Sequence, residues 1–187
     1  LNFARRFKVN PPQEMIRQET WDGIPRIHEW VAKTFNLENT PLLAAISSNW
    51  LKGLVNRVMT PGCKFDTVLV FEGSQGIGKS SAFRALAEPF YAETSIDASQ
   101  KDFQLILMQN IVVEFSEGAT VSRSDAKTLK NMLTMQEDQM RRPYDKAPGK
   151  YKRRCVFAMT TNEERYLKDE TGNRRSLVHV DDVCQAA

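Results

Sequence analysis

The chain has 187 residues, 41% apolar and 26% charged, with 26 basic side chains against 23 acidic ones and a net charge of +3. That balance excludes a disordered tail and fits one well-buried domain with room for a small appendage. No apolar run approaches the roughly 18 residues of a membrane span, and no charged-then-apolar leader opens the sequence, so no membrane partner is expected.

The chain begins at Leu1 rather than Met, and a piece of a longer polypeptide is the expectation. Residues 1–60 read as a small helical region packing on a core that spans 61–187. After "NPPQ", the residues Ile27, Trp30, Val31 and Phe35 fall at helical spacing. In "NTPLLAAISSNWLKGLVNRV", Thr40 is a helix N-cap and Pro41 the first helical residue, with Leu42, Ile46, Trp50, Leu54 and Val58 along one face. The turn "PGCKFD" at 61–66 closes this part. His28 and His179 lie in amphipathic or strand-like contexts that imply structural roles. Cys63, Cys155 and Cys184 are odd in number and widely spaced, as in a reducing, cytoplasmic setting.

From Thr67 the pattern changes to short apolar runs separated by helical stretches: "TVLVF", "SSAFRALA" stopped near Pro89, "NIVVEF" at 110–115, a helix from about Ser124 to Gln139, "CVFAMTTN" at 155–162 and a terminal apolar strand. Runs of four to six continuous apolar residues suit strands covered on both faces. Their alternation with helices predicts an α/β fold built on a mainly parallel sheet with helices on both faces.

Residues Gly73 to Ser80, "GSQGIGKS", fit G-x-x-x-x-G-K-[ST] between a strand and a helix, the context that a P-loop NTPase requires. Gly73, Gly76 and Gly78, with Ser74, Gln75 and Ile77 between them, let backbone N–H groups wrap a phosphate chain at close range. Lys79 places a charge on the outer phosphates, Ser80 offers a hydroxyl to Mg²⁺, and the helix that continues through Ser81 directs its positive end at the anion. ATP and Mg²⁺ are the cofactors expected. Hydrolysis further needs an acid on a neighbouring strand, and "IVVEFSEG" supplies two candidates, Glu114 and Glu117, for the metal and for the attacking water. Glu114 lies inside an apolar run, where an unpartnered acid is costly. Asn162 ends the next apolar run and can reach a γ-phosphate or the lytic water. Arg174 and Arg175 follow a Gly-Asn turn and can stabilise charge on the γ-phosphate from the same subunit or a neighbour.

The charge is unevenly distributed. Between positions 141 and 154 stand seven basic residues and one acid, a local +6 that leaves −3 for the remaining chain. Arg141, Arg142, Lys146, Lys150, Lys152 and Arg153, with Tyr144 and Tyr151 interleaved, suit a single-stranded nucleic acid whose phosphates attract cations and whose bases stack on rings.

Taken together, "WDGIPRI", "PGCKFDTVLVFEGSQGIGKSS", "IVVEFSE", "RRPYDK", "RRCVFAMTTN" and "DETGNRR", in that order, closely resemble the virulence-associated E family of phages, prophages and pathogenicity islands, itself similar to the superfamily 3 helicases of the AAA+ class. The resemblance implies that Gly73–Ser80 is the Walker A loop, Glu114 or Glu117 the Walker B acid, Asn162 the sensor and Arg174–Arg175 the arginine finger. It also implies a homo-oligomeric ring, a hexamer, whose basic hairpin near 144–153 lines a channel for single-stranded DNA, and a primase or origin-binding partner. The function expected is an ATP-hydrolysing motor of phage or mobile-element DNA replication, in a bacterial cell. Two alternatives remain beside it: a P-loop kinase with Arg141/Arg142 or Arg174/Arg175 as lid arginines, and a nucleotide-gated DNA-binding or assembly module with little hydrolysis.

Overall fold

The computed structural model describes residues 10–95, 100–116, 131–140, 147–162 and 175–180. Three helices come first: α1 (Pro11–Gln18), α2 (Trp30–Phe35) and α3 (Pro41–Met59). Then follow β1 (Val68–Glu72), α4 (Lys79–Ala87), β2 (Tyr91–Thr94), α5 (Gln100–Gln109), β3 (Val112–Phe115), β4 (Glu137–Met140), β5 (Gly149–Lys152), β6 (Val156–Thr161) and β7 (Arg175–His179). Five strands form one sheet in the order β2-β3-β6-β1-β7, and every pairing in it is parallel. β4 and β5 form a separate antiparallel pair.

The apolar runs are continuous because both faces of the sheet are covered, so neither parity of side chain meets water. Leu69 and Phe71 of β1 join Val112, Val156 and Ala158 in a core completed by α2, α3 and α4 through Val31, Phe35, Trp50, Leu54 and Phe83. Val68 and Val70 belong to the opposite core, with Val113, Phe115, Phe157, Met159, Leu107 of α5 and Leu133. Aromatic rings tie the first core together: Phe71 stacks on Phe83 with centroids 4.5 Å apart, Phe35 meets Phe71 edge-on at 4.8 Å, and Trp50 donates to the Phe157 carbonyl at 3.3 Å. The N-terminal helices are therefore built into the same core as the sheet.

The start of α3 follows the sequence closely. Thr40 Oγ1 accepts from the Leu43 N–H at 3.2 Å and Pro41 opens the helix. Of the face read at intervals of four, Trp50, Leu54 and Val58 are buried and Ile46 packs partly buried on the same core, whereas Leu42 is 71% exposed; Leu43, Ser47, Gly53 and Arg57 complete the buried stripe. A step of four residues turns an α-helix by about 40° beyond a full circle, so a strict run of fours rotates off the face within a few turns. Gly53 is required by close approach, since a Cβ there would lie 2.1 Å from the Phe65 ring.

Two further differences concern the second half. The helix expected to reach Gln139 ends earlier, with residues 131–134 helical and 137–140 in β4. Pairing with β5, in the register Glu137↔Lys152 to Met140↔Gly149, outweighs local helical pattern there. β2 and α5 were not anticipated between Pro89 and Asn110. "YAET" has one aromatic and three small or polar residues, so its strand signal comes from the sheet edge it joins rather than from its composition.

Candidate functional site

Because the five strands of the main sheet run parallel, their C-terminal ends open on one edge, and that edge gathers the chemistry of the chain. The loop between β1 and α4 lies there. Gly76 and Gly78 have φ of +88°, a left-handed conformation that a side chain would strain, and a Cβ at either would meet nothing within 4 Å. Space above the loop is thus open for a ligand, and Gly78 directly precedes the nine-residue helix α4. The N–H groups of an α-helix's first turn have no carbonyl partner within the helix, and this end of α4 faces the loop, where it favours an anion.

Lys79 is buried at 8% exposure, and its ammonium reaches three oxygens: Gly73 O at 2.5 Å, Ser74 O at 2.8 Å and Asn162 Oδ1 at 2.6 Å. The amide of Asn162 at the end of β6 is thereby brought onto the loop of β1, 83 residues earlier. The Gly73 N–H donates to Thr161 O at 3.1 Å and fixes the base of the loop against the same strand.

Glu114 stands at the centre of the site with no solvent exposure. Its Oε1 accepts from Ser80 Oγ at 2.6 Å and from Thr160 Oγ1 at 2.7 Å, and its Oε2 accepts from the Tyr91 hydroxyl at 2.6 Å. Burial, then the hydrogen bond to Glu114 and its charge, push the Tyr91 phenol above its ordinary range, so Tyr91 remains a donor. The guanidinium of Arg84 lies 5.4 Å over the same ring. A cavity of about 360 Å³ opens beside these groups, lined by Gln75, Gly76, Gly78, Lys79, Ser80, Ser81, Glu93, Ser116, Thr160 and Asn162. Its lining of glycine loop, lysine and hydroxyls is of the chemistry that could hold an anion, and the Ser80 and Glu114 oxygens beside it are of the donor type that Mg²⁺ takes. Among the described residues no group of three His, Cys, Asp or Glu side chains could hold a metal alone.

The sequence and this geometry agree on an ordered set: glycine loop, Lys79, Ser80, Glu114 and Asn162 meet in one place. The chain belongs to the virulence-associated protein E-like family. The Virulence-associated protein E-like domain matches residues 16–182. Two apo structures of the NrS-1 C-terminal region are similar to it in fold. An A form superposes with a TM-score of 0.63 at 18% identity, over 94% of this chain and 42% of that one. A second gives 0.62 at 17% identity, over 97% and 44%. The chain therefore spans less than half the length of these regions. No curated protein matches it.

Tyr91, Glu93, Ser116 and Thr160 are members of the site that sequence reasoning did not single out. Thr160 stands two positions before Asn162 in the run that Asn162 ends, so its parity on the strand was a usable signal. Tyr91 and Glu93 had none, because β2 itself was not recognised. Glu117 and Arg174 lie outside the described residues, and Arg175 is described by its backbone alone, as the first residue of β7 beside Val68.

The basic segment also divides. Arg141, Arg142, Tyr144 and Lys146 lie outside the described residues. Lys150 and Lys152 are exposed on β5 and Tyr151 is half-buried between them. The stem of Lys152 packs over Gly62, which leaves its charged end at the surface. Arg153 differs from the expectation of a nucleic-acid contact. It is 3% exposed and its guanidinium grips Asp138, with Nε donating to Oδ2 at 2.9 Å, a second contact from Nη2 to Oδ1, and Nη1 donating to the Met132 carbonyl. A buried Asp138 needs a charge partner, and Arg153 is the cation that the β4–β5 register brings to it. No helix among the described residues is long and apolar enough to cross a membrane.

Proposed function

We propose that this chain is the ATP-hydrolysing P-loop core of a motor for phage or mobile-element DNA replication, acting on single-stranded DNA in the manner of the superfamily 3 helicases of the AAA+ class. The observation that carries the reading is the convergence on one cavity of the glycine loop, the buried Lys79 ammonium and the Ser80–Glu114 hydrogen bond at 2.6 Å, with Asn162 on the same lysine. Family membership over residues 16–182 supports it.

In this reading the loop N–H groups and Lys79 bind the phosphate chain of ATP, and Ser80 and Glu114 hold Mg²⁺. The metal, when bound, neutralises charge on the β- and γ-phosphates. Lys79 exchanges its loop carbonyls and Asn162 for phosphate oxygens, and Asn162 then reports whether the γ-phosphate is present. Thr160 and Tyr91 orient the Glu114 carboxylate by donating to it. Arg174 or Arg175 supplies charge to the γ-phosphate from the same or a neighbouring subunit of a homo-oligomeric ring. Lys150, Tyr151 and Lys152, with Arg141, Arg142, Tyr144 and Lys146, contact single-stranded DNA.

The test is ATP turnover with and without single-stranded DNA, on wild type and Lys79→Ala, with oligomeric state recorded by light scattering in the same samples. DNA-stimulated turnover that disappears in Lys79→Ala is expected. Turnover indifferent to DNA in an assembled ring would refute the motor reading and leave the kinase and the assembly module.

A further inference from the structure

Two carboxylates stand at the phosphate-loop site among the described residues, in opposite situations: Glu114 lies behind the cavity wall, bonded to the lining residues Ser80 and Thr160, and Glu93 lines the cavity itself. Glu114 is fully buried and committed: three hydroxyls donate to its two oxygens, so three of its roughly four lone-pair positions are already used. That suits an acid that orients a serine and a cation, and it disqualifies Glu114 as the group that takes a proton from water.

Glu93 is the other. It lies directly opposite Glu114 in the parallel β2–β3 register, so the two side chains share a face of the sheet one strand spacing apart, about 4.8 Å. Ala158, the β6 partner of Glu114, shares a core with Phe83 of α4, so the same face carries α4, whose first turn holds Lys79 and Ser80. Glu93 is exposed, lines the cavity together with Lys79, Ser80 and Ser116, and makes no hydrogen bond or ion pair with another described residue. A carboxylate with its lone pairs free, open to water and within the cavity of a buried lysine has what a proton acceptor needs.

We propose that Glu93 is the general base of this site, the carboxylate that orients the attacking water and accepts its proton; this rests on the ATP-hydrolysing reading. The water oxygen forms a bond to the γ-phosphorus while the bond from that phosphorus to the β,γ-bridging oxygen breaks. ADP keeps the electron pair of the broken bond. The water proton goes to Glu93 and from there to the released phosphate, which restores the carboxylate. Nucleotide binding needs none of this, so the role separates cleanly from that of Lys79.

The experiment uses the full-length protein as wild type, Lys79→Ala, Glu93→Gln, Glu93→Asp and Glu117→Gln. Equilibrium binding of a fluorescent ATP analogue with Mg²⁺, single-turnover hydrolysis and thermal unfolding are measured on each. Glu93→Gln is expected to bind within about threefold of wild type, to unfold at the wild-type temperature and to hydrolyse at least about 100-fold more slowly, the usual worth of a positioned base. Glu93→Asp should recover part of the rate. A fall below about tenfold in Glu93→Gln, or a loss of nucleotide binding in parallel with the rate, overturns the proposal. So does full loss in Glu117→Gln with Glu93→Gln still active. If wild-type turnover does not depend on Lys79, both this proposal and the reading beneath it fail; an active Glu93→Gln on a Lys79-dependent wild type removes this proposal alone.

Discussion

Arg153→Ala separates the two roles open to a cation beside the β4–β5 hairpin. The side chains of Arg153 and Asp138 are 1% and 9% exposed. Truncation removes both guanidinium contacts to Asp138, the donor to the Met132 carbonyl and the group lying 5.4 Å over the Phe157 ring. Asp138 is then left buried without its cation. Breaking a buried pair from one side costs about 3–5 kcal/mol. At about 2–4 °C per kcal/mol for a chain of this length, the melting temperature should fall by about 6–20 °C. Thermal unfolding followed by circular dichroism measures it, with Asp138→Leu and the double variant Arg153→Met/Asp138→Leu alongside. The double variant should regain most of the loss, because no buried charge remains in it. In single-stranded DNA binding well below the melting temperature, Lys150→Ala should lower affinity and reduce the salt slope by about 0.7, the worth of one phosphate contact. Arg153→Ala should do neither. An Arg153→Ala variant within about 1 kcal/mol of wild type in stability, with weakened DNA binding, would refute the reasoning and return Arg153 to the surface.

Tyr91→Phe should destabilise the chain by about 1.5–3 kcal/mol, the worth of a hydrogen bond to a charged group, and should raise the Mg²⁺ concentration that half-saturates nucleotide binding. An unchanged Mg²⁺ requirement would show that Tyr91 does not set the orientation of Glu114. Gly53→Ala gains about 1 kcal/mol of helix propensity but drives a Cβ to 2.1 Å from the Phe65 ring, and overpacking at about 1–3 kcal/mol should outweigh it. A higher melting temperature would contradict this. Burial pushes the Cys155 thiol up to about 11 from an ordinary 9.0, so the folded state holds that proton more tightly than the unfolded one. Its contribution is complete below pH 9 and is lost as pH rises toward 11, at about 1.4 kcal/mol per unit, which chemical denaturation across that range would detect. Thiol labelling at pH 8 should modify the partly exposed Cys63 well before the buried Cys155.

The sequence by itself determined the parts whose physics is local. Eight consecutive residues, Gly73 to Ser80, carry the loop, the lysine and the hydroxyl, because each acts through its own backbone or a neighbour's. Thr40 and Pro41 marked the start of α3 for the same reason, and the runs around Val70, Val113 and Phe157 announced strands covered on both faces. The tertiary structure alone decided which distant groups meet. Strand order is a long-range property: β2 lies at the edge next to β3, and only that placement brings Tyr91 onto Glu114 and Glu93 beside it. It also decided which cations of the basic segment face solvent. Lys150 and Arg153 are equivalent as letters, but a buried Asp138, delivered by a hairpin register no composition encodes, claims Arg153 and leaves Lys150 outside.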